Sequence, residues 1–384
     1  MHRNQEICYD IIIIGAGIAG CSAAFALQQR GRRVLLVDRS AVPASGGSGA
    51  AGAFVSPKIG RGSPLQALTN EAYSYAVAFY SRHFPKYFDQ SGVVRIPKDL
   101  ADSDTFAQYE KYDIDKYENI ERGFFLQHGI KNAERGFWFG EAGVCDAPQM
   151  CRAIWERVMF RQCDVASLVH EEEGWKLISH ASEHGGAAQP QLYAKNIVLA
   201  TGYQNDLLDM RYMGVKGLWG SRGDYASDLH LKISLHKKIS ISKNINGIIK
   251  LGATHIKAKE PCVACDGRPL ADLEVQAAEM VDTSDFKLKE IFCGMRAGSK
   301  DYFPLLGRVV DVPWMLKQCP GILKGAKPPL KHLEGLYVMN GVGGRGFVFA
   351  PLMAKWLSEL IVEEKAIDSR VSPDRLFLKW CRKL

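Results

Sequence analysis

The pattern of hydrophobic and polar positions at the start of the chain predicts a strand, a helix and a second strand. Residues 9–14 include four consecutive isoleucines, which is typical of a central parallel strand buried on both faces. A glycine-rich turn follows, residues 21–30 are helical in composition, and Gly31 ends that helix. Residues 33–38 form the second apolar run. This order predicts a βαβ unit and the α/β fold class.

The remaining pattern continues the mixture of helices and strands. Residues 44–62 are rich in glycine and serine, which indicates either a flexible linker or a loop that wraps a phosphate. The other expected elements are a helix over 65–90, a strand over 196–202, antiparallel strands within 229–260, a strand over 335–340 and a helix over 350–364.

Composition narrows the class of protein. The 384 residues are 47% hydrophobic and 24% charged, which excludes disordered and fibrous chains and suggests about two to three domains. The uncharged stretch 11–29 contains three glycines and follows two acidic residues, so we expect neither a membrane anchor nor a signal peptide. The ten cysteines are scattered, which favours a reduced, cytoplasmic protein.

Gly15, Gly17 and Gly20 stand between the first strand and the helix with G-x-G-x-x-G spacing, and Asp38 ends the second strand. Such glycines let a pyrophosphate approach the backbone, and the carboxylate of Asp38 can accept hydrogen bonds from ribose hydroxyls. The pattern predicts a dinucleotide site, and a glycine-rich turn without a ligand is the alternative. The motif alone does not distinguish FAD from NAD.

Later blocks of the chain carry a more specific resemblance. The strand ending in residues 200–202, the block 294–307 and the glycine-rich turn 343–346 together resemble the D-amino-acid oxidase superfamily of FAD enzymes. The resemblance implies an α/β (α+β two-domain) chain with a Rossmann-like FAD-binding domain of the glutathione-reductase type and an antiparallel-sheet substrate domain. The expected division is 1–90, 140–220 and 295–384 for the FAD-binding domain, and 91–139 and 221–294 for the substrate-binding domain.

Within that superfamily, four blocks are similar to the oxidoreductase half of the MnmC family of tRNA-modifying enzymes: 221–223, 293–311, 344–352 and 372–377. This likeness implies an FAD-dependent oxidoreductase acting on the CH–NH group of donors. It would remove the carboxymethyl group of carboxymethylaminomethyl-uridine at the tRNA wobble position, as glyoxylate, and leave aminomethyl-uridine. Since only nine residues precede Asp10, we expect the oxidative step alone, with a separate methyltransferase acting on the product.

The resemblance also implies a set of site residues. Arg296 and Arg345 are the expected catalytic residues, because a planar guanidinium can hold a carboxylate with two hydrogen bonds. A structural ion pair is the alternative for Arg296. The loop 45–53 is longer than the family's equivalent. The expected FAD-binding residues are Gly15, Ala16, Gly17, Ile18, Ala19, Gly20, Asp38, Arg39, Ser45, Gly46, Gly52, Ala53, Val165, Ala200, Thr201, Gly202, Gly343, Gly344, Arg345, Gly346 and Phe347.

The net charge of +7 is unevenly distributed. Residues 231–260 hold seven lysines and one acid, and residues 365–384 hold six basic residues and two acids. A solvated basic face is one interpretation; with the family resemblance, binding of the tRNA anticodon region is the other. Cys262 and Cys265 form a C-x-x-C pair without a second pair at zinc spacing, so we expect no metal.

Three other functions compete with tRNA modification. The first is an FAD-dependent oxidase or dehydrogenase of glycine, sarcosine or D-amino acids. The second is a tRNA-binding flavoprotein without turnover. An NAD-dependent dehydrogenase is disfavoured, because the turn 343–346 has no role in that class.

Overall fold

The computed structural model describes residues 8–112, 116–180, 191–204, 206–258, 260–261, 265 and 270–384. The strands, in chain order, are β1 (Cys8–Ile14), β2 (Val34–Asp38), β3 (Phe54–Val55), β4 (Phe88–Asp89), β5 (Val93–Arg95), β6 (Glu118–Glu121), β7 (Arg135–Phe139), β8 (Gly143–Cys145), β9 (Met159–Gln162), β10 (Val165–Glu171), β11 (Gly174–Ser179), β12 (Leu192–Leu199), β13 (Lys216–Ala226), β14 (Ser234–His236), β15 (Ser240–Ile241), β16 (Ile248–Gly252), β17 (Ile256–Lys257), β18 (Lys287–Gly298), β19 (Leu305–Val310) and β20 (His332–Asn340).

The α-helices are α1 (Ile18–Gln28), α2 (Pro64–His83), α3 (Leu100–Tyr109), α4 (Arg122–Gln127), α5 (Ala147–Trp155), α6 (Ala271–Ala278), α7 (Val312–Gln318), α8 (Gly346–Glu363) and α9 (Asp374–Cys381). Short 3₁₀ turns occupy Pro85–Tyr87, Arg211–Met213, Pro320–Lys324 and Gly343–Arg345. No helix in these described ranges is long and apolar enough to cross a membrane.

The first sheet contains the predicted βαβ unit. Strands β9, β2, β1, β12 and β20 are parallel neighbours in that order, and β19 pairs antiparallel with β20. On the edge of β12 opposite β1, the first residues of β12 pair antiparallel with β11, and β11 pairs antiparallel with β10. Ile11 and Ile13 pack into the core under α1, α2, α5 and α8, while Ile12 and Ile14 pack into the core on the opposite face. Burial on both faces explains the unbroken isoleucine run.

The second sheet carries strands β17, β13, β16, β15, β14, β5, β7 and β6 in that order, with β18 paired to β13. All its pairs are antiparallel except β14 with β5. Its core lies against α6. A third, three-stranded sheet joins β3, β8 and β4. Strands β13 and β18 cross the expected domain boundaries at 220 and 294, and the division itself stays a prediction.

Two helix boundaries differ from the sequence prediction. The helix expected over 65–90 ends at His83, because Phe84 leaves helical geometry and Pro85 begins a separate turn that leads into β4. The helix expected over 350–364 begins earlier, at Gly346, and includes Pro351. Pro351 lies beyond the first turn and cannot donate to the Phe347 carbonyl oxygen, which accepts instead from Tyr80 Oη at 2.9 Å.

Candidate active site

One cavity of about 960 Å³ lies where the first and second sheets meet. This volume is near the upper end of the range of about 300–1,000 Å³ for small-molecule pockets. Residues at the carboxyl ends of β1, β2, β12 and β20 line it, together with residues of β5, β13, β14, β16 and β18. Ligands of α/β folds bind outside the carboxyl ends of parallel strands, so the cavity has the expected location.

The structure brings nearly all of the sequence-predicted residues to this cavity. Its lining includes Gly15, Gly17, Ile18, Ala19, Asp38, Arg39, Ser45, Gly46, Gly52, Ala53, Val165, Ala200, Thr201, Gly202, Arg296, Gly343, Gly344, Arg345, Gly346 and Phe347. Ala16 and Gly20 lie behind the lining. The Ala16 amide donates to Asp38 Oδ2 at 2.7 Å, and a Cβ on Gly20 would lie 1.8 Å from the Gly15 carbonyl oxygen. Gly20 therefore permits close packing of α1 on the turn.

The part of the cavity beside the turn 15–20 and Asp38 is here called the dinucleotide end. It has polar groups suited to a dinucleotide such as FAD. Asp38 Oδ1 accepts from the Ser40 amide at 2.8 Å, so each carboxylate oxygen is fixed by one amide and retains a lone pair for a ribose hydroxyl. Helix α1 begins beside this carboxylate, and its first amides have no acceptors within the helix. These residues fit an FAD molecule.

The loop after β2 closes against the start of α1. Ser48 Oγ accepts from the Ile18 amide at 3.0 Å, and Gly47 lies against the Met295 carbonyl oxygen. Ser48 was not among the residues predicted from the sequence. Serine at a helix start is a recognisable cap, but here it comes from 30 positions away in the chain, which no local pattern reveals.

Arg296 is half-buried on β18 and lies over Gly220 of the neighbouring strand β13. A Cβ on Gly220 would lie 2.3 Å from Arg296 Nη2, so only glycine leaves room for the guanidinium there. Arg296 Nη1 donates to the Thr254 carbonyl oxygen at 3.1 Å. Burial lowers the pKa of Arg296, and none of the described carboxylates lies within 4.0 Å of its guanidinium.

Arg345 is half-buried in the turn before α8 and contacts a different wall of the cavity. Its Nη1 donates to the Ser56 carbonyl oxygen at 3.3 Å. Burial lowers the pKa of Arg345 to about 10, and within the described ranges this guanidinium also has no carboxylate within 4.0 Å. The two arginines thus bring two positive charges to the cavity with main-chain oxygens as their only recorded partners in the described chain.

Further cations line the same wall as Arg345. Lys58 follows Ser56 by two residues, and Arg95 of β5 is in register with His236 of β14. Burial and the neighbouring Arg345 and Arg95 lower the pKa of Lys58. Burial, with Arg95 and Arg345, holds the pKa of His236 well below its usual value, and His236 Nδ1 lies 2.7 Å from Ser240 Oγ. Sequence reasoning missed these residues.

A third group of charges in the lining is neutralised internally. Buried Arg222 donates from Nε to Asp224 Oδ1 at 2.8 Å and also contacts the Ala51 carbonyl oxygen. Lys250 Nζ lies 4.0 Å from Asp146 Oδ1, with its side chain only 11% exposed. Burial and Arg222 lower the pKa of Lys250. Lys250 belongs to the segment 231–260 that is predicted to bind tRNA, but its side chain enters the cavity; tRNA binding by this segment stays a prediction.

The other lysines of segment 231–260 differ in their exposure and in their partners. Lys232, Lys238 and Lys257 are exposed, Lys243 pairs with Asp89 at 2.7 Å, and Lys259 lies outside the described residues. Within segment 365–384, three of the six basic side chains, those of Lys365, Arg370 and Arg375, have acidic partners.

The cysteines differ from the expectation of a fully reduced chain. Cys265 and Cys293 form a disulfide, while Cys262 lies outside the described residues. In the part of the chain that the structure describes, no group of three or more His, Cys, Asp or Glu residues is placed to hold a metal ion.

Comparison with known proteins agrees with this architecture. Residues 10–360 match the family of FAD dependent oxidoreductases, known as DAO. The chain belongs to this family. The predictions of an FAD-dependent oxidoreductase with FAD as its cofactor are confirmed, as is the α/β fold class. The expected class acting on CH–NH donors agrees with the relatives that follow.

Curated relatives and solved structures extend the comparison. The chain is 26% identical to the tRNA 5-methylaminomethyl-2-thiouridine biosynthesis bifunctional protein MnmC of Shewanella amazonensis, over 98% of this chain and 60% of that protein. MnmC of Aeromonas hydrophila is also 26% identical, over 92% and 56%. The resemblance to MnmC is confirmed, and the chain spans about 60% of the length of the relatives it matches.

The fold is shared with glycine oxidase from Geobacillus kaustophilus, with a TM-score of 0.76, 18% identity, and coverage of 94% of this chain and 96% of that chain. Iminodiacetate oxidase from Chelativorans sp. BNC1 gives a TM-score of 0.76 and 16% identity, with coverage of 94% and 98%. At these identities the likeness concerns the fold.

Proposed function

We propose that this protein oxidises an amine that carries a carboxymethyl group on a tRNA wobble uridine, and releases the group as glyoxylate. The observation that carries the proposal is the pair Arg296 and Arg345, two cations in the cavity without a described carboxylate partner. A substrate carboxylate would supply that partner. The tRNA part of the proposal comes from the relatives, whose name assigns them to tRNA 5-methylaminomethyl-2-thiouridine biosynthesis.

The chain supports the proposed FAD site through the residues that line the dinucleotide end of the cavity. When bound, FAD supplies the two-electron acceptor that takes a hydride from the substrate carbon between amine and carboxylate. The substrate loses that hydride and one N–H proton and becomes an imine. Addition of water to the imine then breaks the C–N bond and gives the primary amine and glyoxylate.

The protein's own contribution is to hold the carboxylate and to keep the donor amine neutral. Arg296 is the better holder, since Gly220 and Thr254 fix its guanidinium from two sides and leave the remaining N–H groups to the ligand. The cations on the Arg345 wall create a positive potential, which disfavours a protonated donor amine. A neutral amine is the form that can release a hydride from the neighbouring carbon.

The test is incubation of the FAD-loaded protein with an anticodon stem-loop RNA that carries carboxymethylaminomethyl-uridine. We expect glyoxylate and the aminomethyl nucleoside in equal amounts by mass spectrometry. Arg296→Met should lose this activity, and Arg296→Lys should recover only part of it, because lysine keeps the charge but not the bidentate geometry. The proposal would be contradicted if this RNA failed to reduce the flavin of the wild-type protein.

The second candidate is an oxidase or dehydrogenase of glycine, sarcosine or D-amino acids. The observation that favours it is the cavity itself, where a single guanidinium over Gly220 would hold the carboxylate of a free amino acid equally well. Bleaching of the flavin by these small substrates, with no reaction of the modified RNA, would support this candidate. We further propose that the protein acts in the cytoplasm and that a separate methyltransferase uses the product.

A further inference from the structure

Four exposed lysines from separate parts of the chain meet on one surface, here called the lysine patch. Lys216 begins β13, Lys300 follows β18, and Lys379 and Lys383 belong to the α9 region. The antiparallel pairing of β13 with β18 places Lys216 beside the end of β18, and an ion pair between α9 and the turn after Lys300 brings α9 to the same surface. The neighbouring Lys383, Lys379 and Lys216 lower the pKa of Lys300. Like charges held together repel, so an external anion would stabilise this arrangement.

Two acidic residues in the segments beside the patch pair with arginines. Asp301, which follows Lys300, accepts from Arg375 Nε and Nη2, both at 2.9 Å. Asp209 pairs with Arg211 at 2.8 Å. These carboxylates are therefore not available to the lysines, and the patch presents net positive charge.

Tyr302 stands beside the patch at the rim of the cavity. It is 77% exposed, and it lines the cavity that holds Arg296. Its backbone has a φ of +67°, a left-handed conformation that is unfavourable for a bulky residue. Asp301 Oδ1 fixes the turn by accepting from Ser299 Oγ at 3.0 Å and from the Phe303 amide at 3.3 Å. The turn thus holds a large aromatic ring in solvent.

We propose that the lysine patch and Tyr302 form an RNA-docking surface, with phosphates on the lysines and an unpaired base stacked on Tyr302 at the cavity entrance. The inference rests on the proposed function and assigns it a surface. An aromatic ring next to closely spaced lysines is the arrangement by which proteins bind single-stranded nucleic acid. An acidic protein would use the charges but would have no need of the ring.

The test measures binding of a fluorescent, unmodified anticodon stem-loop RNA to the full-length, FAD-loaded protein across a salt series. Each lysine–phosphate contact contributes about 0.7 to the slope of log K against log salt for a single strand. The double variant Lys300→Gln/Lys383→Gln should therefore lower the slope by about 1.4. Lys232→Gln/Lys238→Gln, which removes the same charge from exposed lysines of segment 231–260, should leave the slope unchanged.

The contribution of Tyr302 is measured with two further variants. Tyr302→Ala should weaken binding of the stem-loop about 5- to 150-fold, the range expected for one base–aromatic stack. Tyr302→Phe keeps the ring and should bind as the wild type does. A fully paired RNA duplex of the same length offers no unpaired base, so its affinity should not change in Tyr302→Ala. Melting temperatures within about 2 °C of the wild type, a shift that corresponds to about 1 kcal/mol of unfolding free energy, verify folding.

Three outcomes would overturn the inference: an unchanged slope in the Lys300/Lys383 variant, a reduced slope in the Lys232/Lys238 variant alone, or unchanged stem-loop affinity in Tyr302→Ala. The third outcome, combined with displacement of the RNA by polyglutamate, would indicate an acidic protein partner instead. Failure of the proposed function is distinguishable, because it appears as wild-type protein that binds the modified stem-loop and releases no glyoxylate.

Discussion

Replacing Gly220 with alanine tests the position of Arg296 without changing any charged residue. The new Cβ would lie 2.3 Å from Nη2, 2.5 Å from Cζ and 2.6 Å from Nη1 of Arg296, whereas ordinary contact begins at 3.4 Å. The guanidinium must therefore move by about 1 Å, and a displacement of that size in an active site can lower activity about 100-fold. Because the obstructing atoms are the end of a flexible side chain, the backbone can stay in place.

We expect Gly220→Ala to lower kcat/KM by about 100-fold, equivalent to about 2.7 kcal/mol of transition-state stabilisation. The same variant should weaken binding of a non-reacting carboxylate, titrated by the change in flavin absorbance. The melting temperature should stay close to that of the wild type. Gly123→Ala is the matched control, since Gly123 is exposed on α4 and a Cβ there would have no neighbour within 4 Å.

The reasoning would be refuted if Gly220→Ala kept kcat/KM within about threefold of the wild type, less than 1 kcal/mol, while the protein stayed folded. Arg296 would then not hold the substrate from its observed position. An equal loss in Gly123→Ala would show that the assay reports a general effect of substituting glycine. Loss of FAD from Gly220→Ala, detected as released flavin fluorescence, would point to the cofactor instead of the carboxylate.

Three further predictions follow from the site and its surroundings. Asp38→Ala should raise the Kd for FAD about 10- to 100-fold, measured by flavin fluorescence, whereas Asp10→Ala, outside the cavity, should not; equal affinities would contradict the role of Asp38. The lowered pKa of His236 means that, as pH falls below about 6.5, the unfolded chain binds a proton that the folded chain does not. Stability should therefore fall with decreasing pH by up to about 1.4 kcal/mol per unit, and the melting temperatures of His236→Gln should fall less; parallel curves would exclude this effect. Cys265→Ser/Cys293→Ser should reduce the unfolding free energy of the oxidised protein by up to about 3–4 kcal/mol, since the disulfide closes a loop with a sequence separation of 28, and should leave the reduced protein unchanged. An equal loss of unfolding free energy in dithiothreitol would show that the substitutions act through packing and not through the disulfide.

The sequence by itself determined the features that depend on neighbouring residues. Strands β1 and β2, helix α1 and the carboxylate of Asp38 follow from a short stretch whose periodicity and glycine spacing have few structural solutions. Arg296 and Arg345 could also be selected in advance, because each lies in a block that resembles a known family. Helix ends were less accurate, since the end of α2 and the start of α8 depend on packing and on single proline positions.

Only the tertiary structure decided which distant residues share a site. Lys58, Arg95 and His236 come from separate segments of the chain. The pairing of β5 with β14 joins Arg95 to His236, Lys58 reaches the same cavity from the loop after β3, and no spacing in the chain encodes this. The lysine patch is assembled in the same way from three segments. Lys250 shows the reverse case, a residue of a basic run whose side chain folding buries. Local sequence sets the elements, whereas long-range pairing and burial set the electrostatic environment of each charge.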